Sequence, residues 1–311
     1  MSVENFKIKS LKIKEDNPVI RKLLPTVIFP YEASFELKNV NVAIANAIRR
    51  TIMGEIPVKS LFFSLDDFET TDPFILYDFV LTRIKNIPID QSIDINTTYS
   101  LNIINKTEDI MEVKSKDLVM SSRYSKHNKK YFNETFTITT LEPSREIHIS
   151  KIFVKEDYAN NHAGHTVAFN AISIQTDVEP YNSFTKKGIK SAIANPSNFK
   201  ISFRSNGNMD AKDILKLACK EIINRLDDVR KYIEDIQIRE DFVYLQIDKE
   251  NDTIGNILMK SISDDYPDIK AVTYHADPIQ KNVILRMRTN NDPKDILENT
   301  IEKNINIFKK I

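Results

Sequence analysis

The residues of this chain best suited to chemistry are cationic. Arg49 and Arg50 stand side by side near the end of the run Val40–Gly54, with Asn46 before them and Glu55 after. Adjacent guanidinium groups in the last turn of a helix suit its dipole and offer planar forks to a carboxylate or phosphate. They can dock a partner, or they can be surface ion-pair residues of modest worth. Arg83 offers a second fork with the same two readings. Arg123, Lys126, Lys129 and Lys130 alternate with tyrosine in the most basic short run of the chain. That run can approach a nucleic-acid phosphate, although a solvated hairpin loop gives the same composition. His162 and His165 would share a face on a helix and ligate zinc. Asn160, Asn161 and Gly164 favour a turn instead, and no third ligand stands near. Cys219 follows Ala218 in an apolar run, where a packed thiol is the ordinary reading, and no base is placed to activate it. No Asp-x-Asp or paired-acid arrangement stands out among the carboxylates, and neither GxGxxG nor GxxxxGK[ST] occurs. No constellation supports catalysis, a cofactor or a metal.

Composition sets the frame around these side chains. The chain has 311 residues, enough for about two domains, and its 44 basic residues balance 44 acidic ones. A nucleic-acid coat would be clearly basic, so contact with DNA or RNA is expected to be indirect or local. A single cysteine rules out an internal disulfide and a cysteine-built zinc or iron–sulfur site, and fits an intracellular, reducing compartment. No signal-like segment or membrane-length apolar run is present.

The elements that must position the arginines follow from periodicity. Ala33, Phe35 and Leu37 alternate as on a half-buried strand; Val40, Ile44, Ile48 and Ile52 then recur at helical spacing. Asn39 or Asn41 can cap that helix, and Gly54 before Pro57 can end it through a left-handed exit. A first strand is expected near 5–14, another at 58–65, and a short helix at 76–84 with Leu76, Phe79, Val80, Arg83 and Ile84 on one side. Residues 90–165 read as strands joined by polar turns. A long helix over 210–234 carries Ile214, Leu215, Ile222, Leu226 and Val229. After a strand at 242–247, Asp252 or Thr253 caps a helix with Ile257 and Leu258 on its inner face. Strands at 271–275 and 283–289 precede a final helix, opened by Pro293, that carries Leu297 and Ile301. The two parts share an architecture of strand, capped helix, strands and long helix, with no visible residue-level repeat.

The wording of these segments carries a resemblance. Phe35–Pro57, with Ala45-Asn-Ala-Ile-Arg-Arg50 and Glu55-Ile-Pro57, resembles the assembly motif of the alpha-like subunits of multisubunit RNA polymerases: the bacterial alpha subunit, its larger archaeal counterpart and the third-largest eukaryotic subunit. Tyr77–Ile89, Gly164-His165 with Ala168-Phe169, and Phe203–Gly207 are similar to later elements of that family, in its order. Lys249–Leu258, Tyr274–Pro278 and Leu285–Thr289 resemble motifs of the small alpha-like partner found in archaeal and eukaryotic polymerases. A fusion of the two is similar to subunits of large cytoplasmic DNA virus polymerases.

The resemblance implies an α+β fold. Residues 1–90 and 165–236 would form the larger dimerisation subdomain, 91–164 a β-rich insert, and 237–311 the small partner, making a pseudo-heterodimer in one chain. Ile214, Leu215, Ile222, Leu226, Val229, Ile257, Leu258, Leu297 and Ile301 would be its core. The implied function is a non-catalytic assembly platform for the two large catalytic polymerase subunits, alongside other small polymerase subunits, with a polymerase-independent adaptor as the alternative. Asn46, Arg49, Arg50, Glu55 and Arg83 would meet those partners. No membrane is implied; the compartment would be cytoplasm (viral factory or virion) for a viral protein and nucleus otherwise. Two departures stand out. The insert lacks the cysteines with which larger subunits of the family often hold zinc or an iron–sulfur cluster, and Asp252 and Asp277 replace usual histidines of the small partner.

Overall fold

The computed structural model describes residues 2–10, 31–121, 130–159, 167–176 and 197–311. They form two compact units: Met1–Met53, Ala168–Ser205 and Ala211–Ile311 in the first, Gly54–Val167 and Asn206–Asp210 in the second.

The first unit is built twice over from one plan. Its N-terminal part has strands β1 (Ser2–Ser10) and β2 (Tyr31–Lys38), helix α1 (Val42–Arg50), strands β10 (Ala168–Gln175) and β11 (Asn198–Ser205), and helix α3 (Ala211–Val229). Its C-terminal part has β12 (Gln237–Arg239), β13 (Phe242–Asp248), α4 (Asp252–Asp265), β14 (Ala271–Asp277), β15 (Asn282–Arg288) and α5 (Pro293–Phe308). The antiparallel sheets run β1-β2-β11-β10 and β12-β13-β15-β14, the same order at corresponding strands. Each sheet carries one helix between its second and third strands and one after its fourth. Counterpart then packs on counterpart, α1 on α4 and α3 on α5. That is the arrangement of an isologous dimer, realised within one chain.

A residue-level repeat is present after all, and the shared backbone reveals it. Asp210-Ala-Lys-Asp-Ile-Leu215 matches Asp292-Pro-Lys-Asp-Ile-Leu297, and Ile214, Leu215, Ala218, Ile222 and Leu226 are buried as are Ile296, Leu297, Thr300, Asn304 and Phe308. Asn39 and Lys249, each directly after a strand, both take positive φ (57° and 61°). Two residues later Asn41 and Asn251 cap α1 and α4, accepting from the N–H of Ile44 at 3.0 Å and of Thr253 at 2.8 Å. Ile44, Asn46 and Ile48 correspond to Ile254, Asn256 and Leu258. The repeat hides because it is kept mainly at buried positions and around the helix starts.

Several local expectations shift. Asn251, with extended backbone, caps α4, and Asp252 is already its first helical residue. Gly54 takes no left-handed exit; α1 is prolonged by a π-helical turn over Thr51–Glu55, which keeps Ile52 buried. The helix expected over 210–234 is α3 followed by a 3₁₀ segment, Arg230–Asp235. All nine proposed core residues are buried, Leu215 the most exposed of them at 4%.

Cys219 lies in this core and supplies a test. Burial pushes its thiol up to about 12, so the thiolate that alkylating reagents require is scarce near neutral pH. The native protein is expected to leave its one cysteine unlabelled by a chromogenic disulfide reagent, with one equivalent reacting in denaturant. Rapid labelling without denaturant would contradict the packing of α3.

The second unit has β3 (Pro57–Phe62), β4 (Phe68–Thr70), α2 (Tyr77–Lys85), β5 (Thr98–Ile104), β6 (Met111–Lys114), β7 (Val119–Met120), β8 (Thr137–Leu141) and β9 (Glu146–Tyr158). The long β9 takes β3 and β4 along one edge and β5 along the other; β6 pairs with β8. In α2, Val80, Leu81 and Ile84 are buried, whereas Leu76 and Phe79, expected on the inner face, are 67% and 55% exposed. The helix starts only at Tyr77, so Leu76 lies outside its register, and Phe79 falls on the opposite face from Val80 and Ile84.

Candidate docking and assembly site

Helix α4 begins where three other elements converge. Arg225 of α3 places Nε 3.1 and 3.2 Å from the two carboxylate oxygens of Glu250, and Nη2 2.6 Å from Oε2. The same Nη2 donates to Asn251 Oδ1 at 3.0 Å, so the cap of α4 is tied to α3. The pair is shielded, with side-chain exposures of 14% for Arg225 and 9% for Glu250. A bidentate charge-assisted pair in low dielectric fixes geometry more than it adds net stability. The position corresponding to Glu250 in the first half is Val40, also buried, so this latch exists on one side of the pseudo-symmetric pair only.

Arg50, at the end of α1, donates from Nε to Thr253 Oγ1 at 3.1 Å. Tyr274 of β14 hydrogen-bonds Asp252; burial and that carboxylate hold its phenol above the ordinary range, while nearby Arg50 pulls the other way. Asp252, in the position where the small partner resembled above has histidine, therefore anchors Tyr274. Its ring lies so close to Gly255 that a Cβ there would meet Cδ2 at 2.6 Å. Gly255→Ala is expected to cost about 1–3 kcal/mol through overpacking, read as a lowered denaturation midpoint. Unchanged stability would mean that Tyr274 is free to move.

The seam continues along the helices. Arg230 reaches Glu298 at 3.3 Å and Lys294 reaches Glu234 at 2.5 Å, both exposed and of small energetic weight. Between α4 and α5 the buried Asn304 donates to Ser261 Oγ at 3.0 Å and to the Thr300 carbonyl at 2.8 Å.

The two neighbouring arginines thus have different surroundings. Arg49 Nε and Nη2 lie 3.0 and 2.9 Å from Asn46 Oδ1, one turn back on α1, with the guanidinium half-exposed. Arg50 faces the C-terminal half. Glu55 closes the π turn and is half-buried. Arg83 donates to the Thr137 carbonyl at 2.5 Å and stacks 4.9 Å from the Phe136 ring, joining α2 to β8 within the second unit. Lys130 is exposed and pairs with Glu134 at 2.6 Å; Arg123, Lys126 and Lys129, like His162 and His165, lie outside the described residues. Among the described residues no group of His, Cys, Asp and Glu gathers in a metal-binding arrangement, and no helix is long and apolar enough to cross a membrane.

Sequence reasoning misses Arg225, Glu250, Asn251 and Tyr274. Glu250 and Tyr274 lie inside the motifs named above, but nothing in local spacing shows that a carboxylate next to a helix cap meets an arginine on a distant helix.

Comparison with known proteins agrees with this geometry. The family described as RNA polymerase Rpb3/Rpb11 dimerisation domain matches residues 34–226, and a second family of the same description matches residues 243–311. A protein of African swine fever virus (isolate Pig/Kenya/KEN-50/1950), named DNA-directed RNA polymerase RPB3-11 homolog, is 26% identical across 99% of this chain and 96% of its own length. Its namesake from isolate Tick/Malawi/Lil 20-1/1983 is 25% identical over the same shares.

Proposed function

The chain belongs to the RNA polymerase Rpb3/Rpb11 dimerisation-domain family, and from that premise we propose that it is the assembly platform on which the two large catalytic subunits of a DNA-directed RNA polymerase dock. It acts as an RNA polymerase assembly subunit, and its role is non-catalytic. The observation that carries the proposal is the packing of α1 on α4 and α3 on α5, by which one polypeptide supplies both halves of the dimerisation unit. A tethered second half arrives at high effective concentration, so platform formation does not wait for a separate small subunit. No observation favours a polymerase-independent adaptor. Other small polymerase subunits would share the platform, DNA and RNA would be met only through the assembled enzyme, and the setting would be intracellular and reducing.

Asn46 and Arg49 are the proposed docking residues of α1: the amide oxygen accepts from both Nε and Nη2 of the guanidinium, and Arg49 stays half-exposed. Glu55, the next charged residue along the chain after Arg50, is included with them on sequence grounds. Arg50 is assigned to the joint with α4, and Arg83 to the hold of α2 on β8. Arg49→Glu is expected to leave the fold and its denaturation midpoint unchanged while reducing copurification of a large subunit at least about tenfold, the scale of a lost charged anchor. Full recovery of both large subunits with this variant would remove Arg49 from the docking surface.

A further inference from the structure

We propose that the outer face of the β12-β13-β15-β14 sheet is a second docking surface, one that receives a carboxylate-rich segment of a partner protein. Cations and rings alternate across three of its strands. Arg239 lies 5.9 Å from the Tyr244 ring; Arg286 lies 5.4 Å from that ring and 3.7 Å from Phe242; Arg288 lies 5.8 Å from Phe242. Stacked guanidinium groups lose little further freedom when their forks engage a planar anion.

The pseudo-symmetric sheet shows what is different here. On its outer face Glu32 stands opposite Arg204 and Glu36 opposite Lys200, so the facing strand supplies the counter-charge. At the strands corresponding to those, Phe242 stands in the place of Glu32 and Gln246 in the place of Glu36, while Tyr244 stands opposite Arg286, so neither carboxylate is kept. Arg286 Nε is buried without a hydrogen-bond partner among the described residues, an orphan donor of a kind that folded proteins rarely keep. Arg239 has the neutral Gln237 Oε1 at 2.6 Å. Only Arg288 has a carboxylate within the ladder, that of Asp241, and this pair shows the anion that the ladder accepts.

Charge complementarity therefore selects an anionic partner, and the rings select which one. The Arg286 guanidinium already lies 3.7 Å from the Phe242 centroid, where a nucleic-acid base would otherwise stack. The short ladder, in a chain of zero formal net charge, also offers no long basic track for a phosphate backbone. The surface is distinct from the half-exposed end of α1 and does not depend on docking there.

Fluorescence anisotropy of a dye-labelled oligoglutamate peptide with the full-length chain, at about 0.1 M salt, tests this. The peptide is expected to bind, to weaken as salt rises, and to weaken at least about tenfold in Arg286→Gln. Arg286→Lys is expected not to rescue, because an ammonium lacks the planar fork. Arg239→Gln, on an exposed edge strand, is expected to weaken binding as well and keeps the test open should Arg286 variants misfold by circular dichroism. No binding to the native chain, or binding untouched by Arg286→Gln and Arg239→Gln, would overturn the proposal. So would tighter binding of a single-stranded oligonucleotide of equal charge.

Discussion

Glu250→Ala is expected to destabilise the protein by about 3–5 kcal/mol, the typical cost of leaving one member of a buried ion pair alone. Arg225 would keep its charge, 14% exposed, without the carboxylate that its Nε and Nη2 meet in the native protein. Against a total stability on the order of 5–15 kcal/mol, that is a large fraction. Arg225→Ala is expected to cost a similar amount, and the double variant much less than the sum, since the second change removes the stranded charge. Denaturant unfolding of the four proteins gives the coupling energy directly. The internal repeat adds a finer expectation. Val40 fills the corresponding place in the first half, so Glu250→Val with Arg225→Met is expected to approach native stability, as apolar replacement of buried pairs often does. Additive losses, or single-variant costs below about 1 kcal/mol, would show that the pair is solvated and is not the latch between the halves.

Leu297→Ala carries the second large effect. Leu297 is fully buried on α5, the helix that packs on α3, and its counterpart Leu215 is 4% exposed. Truncation leaves a cavity that a close-packed helix pair cannot fill, at a cost of about 2–5 kcal/mol. Because α3 carries Cys219, the loss has a local reporter: labelling of that thiol is expected to begin at lower denaturant, in step with global unfolding. If secondary structure melted early while Cys219 stayed protected, α5 would be unfolding alone and the two halves would not be one cooperative unit.

Legibility in the sequence depends on whether a feature is local. Helix faces are legible: Ile214, Ile222 and Leu226 recur at helical spacing and are buried, as are Ile257 and Leu258. Caps are readable to within a residue. Asn251 and Asp252 both suit the role chemically, and only the backbone shows which residue is still extended. Leu76 and Phe79 are misplaced when apolar type is taken for burial on a helix of only nine residues. The candidate site is least legible. Arg49 and Arg50 look alike in sequence, yet one is held by Asn46 on its own helix and the other by Thr253 in the other half. Long-range pairing of that kind has no period to betray it.

We propose that this one chain provides both halves of the platform to which the large polymerase subunits dock. Affinity purification of the tagged full-length chain from its native source, under gentle salt and followed by mass spectrometry, tests it most directly. Two very large polypeptides are predicted to copurify in equal amounts with the chain, and no separate small alpha-like subunit should accompany them. Recovery of the chain without the large polypeptides, or together with a stoichiometric separate small partner, would show that the chain is not such a platform.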